Sequence, residues 1–231
     1  MKRITLAAAV IAAAAVTAAP TKTRKASSDD AVTTGRAAKI LIEQAPRLGQ
    51  QTCLNAPGIA GATLIGQCYK KPRQWIVLEM KYATFGTEKS KFQDQLTFTW
   101  HVMLETKSAT ENKGNREGLA PYSYFTTSVT YSNIPMGSHA SSVVLPPSYR
   151  ERYGEPKAVA VVITNQNGEE LAGDCWSEIK YVEGKFWENA KVMDATGKDG
   201  KPLVERRQGL LDRSKTIWAL VNPNDYEATV Q

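Results

Sequence analysis

Two histidines, three cysteines and a scatter of carboxylates are the residues of this 231-residue chain best suited to chemistry. His101 lies in DQLTFTWHVMLE, and His139 lies in MGSHASS beside Ser138, Ser141 and Ser142. A hydrolase triad needs a nucleophile, a base and an orienting acid. No GxSxG elbow surrounds either histidine, and both read as polar surface residues, so no catalytic residue is expected. Glu169 and Glu170 follow an Asn-Gly pair and read as a solvated hairpin end. Asp174, Glu178, Glu183 and Glu188 are spread out, with no two marked as the carboxylate pair of a glycosidase. DATGKDG sets Asp194 and Asp199 among glycines, a loose likeness to a calcium loop without EF-hand spacing or its closing glutamate. There is no CxxC or Cys/His cluster of the kind that holds zinc. Neither a metal nor a cofactor is expected. Trp187, Tyr149, Tyr153, Tyr122 and Tyr124 could stack on a sugar, but a sandwich core consumes aromatics too.

The compartment is easier to read. MKRITLAAAVIAAAAVTAAP has Lys2 and Arg3, then an apolar run from Ile4 to Val16, then small residues. That is the pattern of a secretory signal peptide, with cleavage expected between Ala18 and Ala19. The run is short for a membrane span, which needs about 20 apolar residues. No cysteine stands near the site to carry a lipid. The expectation is an exported protein of the periplasm, cell surface or extracellular space, not integral to the membrane after cleavage. Losing Lys2 and Arg3 lowers the formal charge from +6 to +4, and much of the remaining basic excess lies between Lys22 and Lys39. A solvated basic tail explains it, and nucleic acid is not an expected partner. An exported chain meets an oxidising compartment, so one disulfide is plausible among Cys53, Cys68 and Cys175. The turn-rich span between Cys53 and Cys68 favours that pair, with Cys175 bonding to one of them as the alternative.

These residues need elements to position them. Ala19 to Thr34 is small and polar and reads as a disordered linker. In GRAAKILIEQAPRL the apolar positions Ala37, Ile40, Leu41 and Ala45 suggest a short helix stopped by Pro46, with a strand over AKILIEQ as the alternative. RQWIVLEMKYAT then alternates, with Ile76, Leu78, Met80 and Tyr82 on one face. DQLTFTWHVMLE alternates more cleanly still. Leu96, Phe98, Trp100, Val102 and Leu104 share one face, and His101 falls on the other with Gln95, Thr97 and Thr99. Trp100 reads as a core anchor. Thr106 to Ala120 is a long polar loop, PYSYFTTSVTYSN a strand, and ASSVVLPP a short strand. SYRERYG reads as a helical turn. KAVAVVITNQ is apolar on both faces and predicts a central strand, followed by a hairpin at Asn167-Gly168. SEIKYVEGKFWENAKVMDA reads as two strands around Glu183-Gly184, and Thr216 to Val221 as a last one.

Strands at this spacing indicate an all-β fold, an immunoglobulin-like β-sandwich with short helical turns. The domain expectation is a signal peptide over 1–18, a linker over 19–35, and one sandwich domain with extensions over 36–231.

With the leader MKRITLAAAV, the strands QWIVLEMKY and DQLTFTWHVML, and the closing RSKTIWALVNPNDYE, the chain resembles exported immunoglobulin-like proteins encoded with the type IV pilus genes of Akkermansia. Such proteins are related in fold to domains of archaeal type IV pili. The resemblance implies no enzymatic activity and a role in pilus formation or surface interaction. Archaeal pilins polymerise through a long apolar N-terminal helix, whereas the apolar run here ends at Val16 before a cleavage site. An accessory or adhesive role therefore fits better than a filament subunit. The implied partner is a protein of the cell envelope or pilus, with a glycan as a further possibility.

Overall fold

A computed structural model describes residues 39–46, 52–55, 74–85, 91–106 and 119–216. The expected signal peptide, the expected cleavage site at Ala18 and Ala19 and the expected linker lie outside the described residues, as do most of the loop after Thr106 and of the expected last strand. Among the described residues, ten strands form two five-stranded sheets. The first sheet holds β1 (Lys39–Gln44), β2 (Thr52–Asn55), β3 (Gln74–Phe85), β6 (Gly137–Leu145) and β10 (Leu211–Asp212). β1 and β2 line up end to end along one edge of β3, and β6 takes its other edge. The second sheet runs β8 (Glu170–Ser177), β7 (Glu155–Asn165), β4 (Phe92–Glu105), β5 (Tyr122–Pro135) and β9 (Val204–Arg207). All pairings in it are antiparallel except β5 with β9.

Alternation builds the core between the sheets. Ile76, Leu78, Met80 and Tyr82 of β3 face Leu96, Phe98, Trp100, Val102 and Leu104 of β4, and all are buried. Tyr82 and Phe98 meet across the gap with ring centroids 4.7 Å apart. Trp100 has no exposed surface. Its indole N–H lies 3.4 Å from the Ser141 hydroxyl, which also accepts a 3.0 Å hydrogen bond from Tyr131. Ser141 is thus a buried polar group with partners, as the low-dielectric interior demands. The two alternating strands β3 and β4 are consecutive in sequence but lie in opposite sheets. The chain switches sheets again at Pro135–Gly137, with Gly137 at φ +132.

Helix α1 (Pro147–Tyr153) follows β6 and ends at Gly154. That glycine has φ +92, and a Cβ on it would stand 1.9 Å from the Glu105 carbonyl oxygen. The end of β4 and the start of β7 therefore approach more closely than a side chain permits.

The expected helix over Ala37–Ala45 is instead the strand β1. Ile40 and Ile42 point into the core while Leu41 points out, so a period of two, backed by pairing to β3, overrides the helical spacing. The two strands expected around Glu183-Gly184 are also absent. That stretch forms a 3-10 turn (Phe186–Glu188) and one helical turn, α2 (Ala190–Met193). Its apolar residues Ile179, Val182, Phe186 and Met193 are three, four and seven apart, and they pack together onto the far side of the second sheet.

Candidate functional site

The outer face of the second sheet is divided in two. Toward one end it is wet, and hydroxyls pair across the strands: Thr97 with Thr130 at 3.2 Å and Thr99 with Ser128 at 3.1 Å. Two residues further along β4 it becomes dry. His101, Met103 and Tyr124 are buried there, beside Ala158 and Ala160 of β7. The small alanine side chains leave room for the 178–203 segment to settle on the sheet, bringing Val182, Phe186 and Met193 into a second apolar cluster. This explains why β7 is apolar on both faces: one serves the inner core, the other this cover.

His101 sits in the middle of that cover. Its ring stacks on Trp187 at 3.9 Å and 2°, and its Nδ1 hydrogen-bonds to the Tyr124 hydroxyl at 2.6 Å. The side chain is 7% exposed, so the expectation of a surface histidine is corrected. Alternation placed it on the right face; it could not show that a later segment returns to cover that face. Burial lowers its pKa from 6.5 to about 4, because a charged imidazole loses its hydration there. The imidazole is neutral at physiological pH and enclosed by rings. Burial likewise pushes the Tyr124 phenol up, against smaller lowering effects from Thr126 and Arg206.

His139 lies in β6 opposite Tyr82, and its Nε2 is 2.6 Å from the Pro135 carbonyl oxygen. The serines around it go elsewhere. Ser138 donates to Glu43 at 2.7 Å, and Ser141 serves Trp100 and Tyr131 in the core. The Ser138 and Ser141 hydroxyls are thus spent on partners other than His139. The scattered carboxylates form surface ion pairs, Glu178 with Lys157 at 2.6 Å and Glu170 with Lys185 at 2.5 Å. Asp194 lies 3.4 Å from Arg206 and Asp199 lies 4.0 Å from Lys201, so each faces a cation.

The aromatic candidates do not form one platform. Tyr122, Tyr124 and Trp187 belong to the covered outer face, while Tyr149 and Tyr153 pack with Phe125 at the inner core. Arg207 lies over the Tyr153 ring at 4.4 Å. Cys175 is a free thiol in β8, which removes it from the disulfide alternatives. Burial, with Asp174 and Glu183 nearby, pushes its pKa up to about 11. Cys53 is in β2 opposite Ile76. Its side chain and Cys68 lie outside the described residues, as does any bond between them.

Sequence reasoning missed the cleft at one end of the cover. It has a volume of ≈ 330 Å³, and Met103, Val182 and Val204 are among the residues that line it. The apolar spacing of residues 179–193 carries the available signal, because gaps of three, four and seven suit helical turns and not the strands expected there.

A family model matches residues 61–230, and the chain belongs to that family. No curated protein matches it. A crystal structure of a protein from Akkermansia muciniphila is similar in fold, with a TM-score of 0.58 at 18% identity, covering 84% of this chain and 94% of that one.

Proposed function

We propose that this is an exported, non-catalytic β-sandwich that works by contact at the cell surface, as a pilus-associated accessory or adhesive protein. The family match over residues 61–230 carries the reading. The architecture is compatible with it. β8 forms one edge of the second sheet, and an edge strand offers backbone groups to which a partner strand can add. Among the described residues no helix is long and apolar enough to cross a membrane.

The test is cross-linking in native envelopes followed by purification of the tagged chain. Pilus components should be recovered with it, and the protein should fractionate outside the cytoplasm. Turnover of mucin glycans or esters that disappears in His139→Ala would overturn the non-catalytic reading. A melting temperature raised by calcium in the parent but not in Asp199→Asn would point instead to a calcium-dependent adhesive module.

A further inference from the structure

The cleft at the end of the cover differs from the rest of the surface. Its floor is Met103 of β4, 1% exposed, and Val182, 3% exposed. It is therefore a pit that reaches the second apolar cluster. Its ≈ 330 Å³ lies at the small end of the range for sites that hold small molecules. Two lining residues carry polar ends that the fold leaves available. The Lys191 ammonium has no ion-pair partner among the described residues, whereas Lys157, Lys185 and Arg206 each have one. Asn189 uses its side-chain oxygen to cap α2 by accepting from the Lys191 N–H, which leaves its amide N–H₂ over. Glu188 and Asp194, the carboxylates nearest in sequence, each stand three residues from Lys191; Asp194 faces Arg206, and Glu188 makes no ion pair with Lys191 among the described residues. Tyr181 also lines the cleft, and it is 76% exposed, the most exposed large apolar side chain described.

We propose that this cleft binds a small amphipathic carboxylate, its apolar chain or ring seated on Met103 and Val182 and its anionic head at Lys191 and Asn189. An apolar pit with one unpaired cation on its wall suits a ligand with an apolar body and a single negative charge. A neutral hydrocarbon would leave the ammonium unused, and an amine would be repelled by it. Tyr181 supplies an aromatic flank for the ligand's exposed side. The site is independent of the pilus reading, since it concerns a face away from the β8 edge.

Methionine-methyl NMR tests this directly, because Met103 is the floor and Met80 lies in the inner core as an internal control. Titrating the purified protein with decanoate should shift the Met103 methyl resonance saturably and leave Met80 still. Lys191→Glu should weaken binding by about fivefold at low salt, as expected for an exposed charge pair. Ala195→Trp should fill the cleft and abolish the shift. If that variant fails to fold, Lys191→Glu, which changes the charge on the wall and leaves the Met103 and Val182 floor in place, still decides. No saturable shift up to millimolar decanoate would overturn the proposal. So would equal binding of decylamine, or a response confined to peptides with a C-terminal aromatic residue, which would make the cleft a protein-docking pit.

Discussion

Trp100 and His101 are neighbours in β4, and they belong to two different cores. Trp100 faces the space between the sheets, where residues from β3, β4, β5, β6 and β7 meet and nearly every contact is apolar. His101 faces outward, where one irregular segment folds back to cover part of a sheet and the buried set mixes imidazole, phenol and indole rings with small aliphatics. The inner core is made by two regular surfaces that each alternate. The outer core is made by one regular surface and a cover held by a few large side chains. The first should fail only with the whole fold. The second should be able to open by itself, because its apolar contacts are fewer and its cover carries little regular backbone pairing.

The largest expected effect therefore comes from the inner side. Trp100→Ala should destabilise the whole domain by about 3–5 kcal/mol, the range for emptying a fully buried tryptophan site. Urea denaturation followed by circular dichroism would show it as a lower midpoint in one transition. A loss confined to part of the chain would mean that the inner core is not the cooperative unit.

Acid should expose the other core. The His101 pKa is lowered to about 4 in the folded protein against an ordinary 6.5. The unfolded chain thus binds the proton more readily. The stabilising contribution is complete above pH 6.5 and is lost as the pH falls toward 4, reaching about 3 kcal/mol if unfolding frees the ring entirely. His101→Phe keeps a ring against Trp187 but cannot titrate, so stability profiles of the two proteins should diverge between pH 6.5 and 4. Parallel profiles would show that the histidine is hydrated in the native state.

How much of this was legible follows the same division. The strands β3, β4, β5 and β7 could be read because each carries its own alternation, and Trp100 could be assigned to a core from its neighbours Phe98 and Val102 alone. The sheet partners could not, because alternation says which face is apolar and not which strand lies beside it. That is why β3 and β4, next to each other in sequence, were free to fall in opposite sheets. β1 is ambiguous in sequence because Ile40, Leu41 and Ala45 satisfy helical spacing as well as Ile40 and Ile42 satisfy a strand, and pairing with β3 decides between them. The burial of His101 depends on Trp187, a residue 86 positions away, brought over it by a segment without a regular period. Nothing local to DQLTFTWHVMLE could report that contact.

A change in the cover should have a smaller and more local effect than acid. Trp187 is partly exposed and stacks on only one face of His101, so Trp187→Ala should cost about 2 kcal/mol. Hydrogen exchange should quicken over residues 178–203 while β3 and the core face of β4 keep their protection. Cys175 packs against the same cluster, and its raised pKa keeps it largely a thiol at pH 8. Its alkylation, followed site by site by mass spectrometry, should be slow in the parent and faster in Trp187→Ala. Uniformly faster exchange would mean that the two cores open together.

The smallest effect belongs to the point where the cover leaves the sheet. Glu178 is held there twice, by its backbone N–H to the Lys157 carbonyl oxygen at 2.8 Å and by its carboxylate to the Lys157 ammonium at 2.6 Å. Lys157 is the residue at which β7 slips register against β4, between Ala158 opposite Met103 and Pro156 opposite Leu104. The bulge thus turns a residue out to meet the departing chain. The backbone bond fixes the path, while the ion pair is solvent-exposed on both sides and so contributes less than about 1 kcal/mol. Glu178→Gln should lower stability by that small amount in low salt and by nothing measurable in 1 M salt, where the Debye length is about 3 Å. Hydrogen exchange over 178–203 should barely change. If it quickened as much as in Trp187→Ala, the cover would be pinned by charge at its root and not by the stacked rings at its centre.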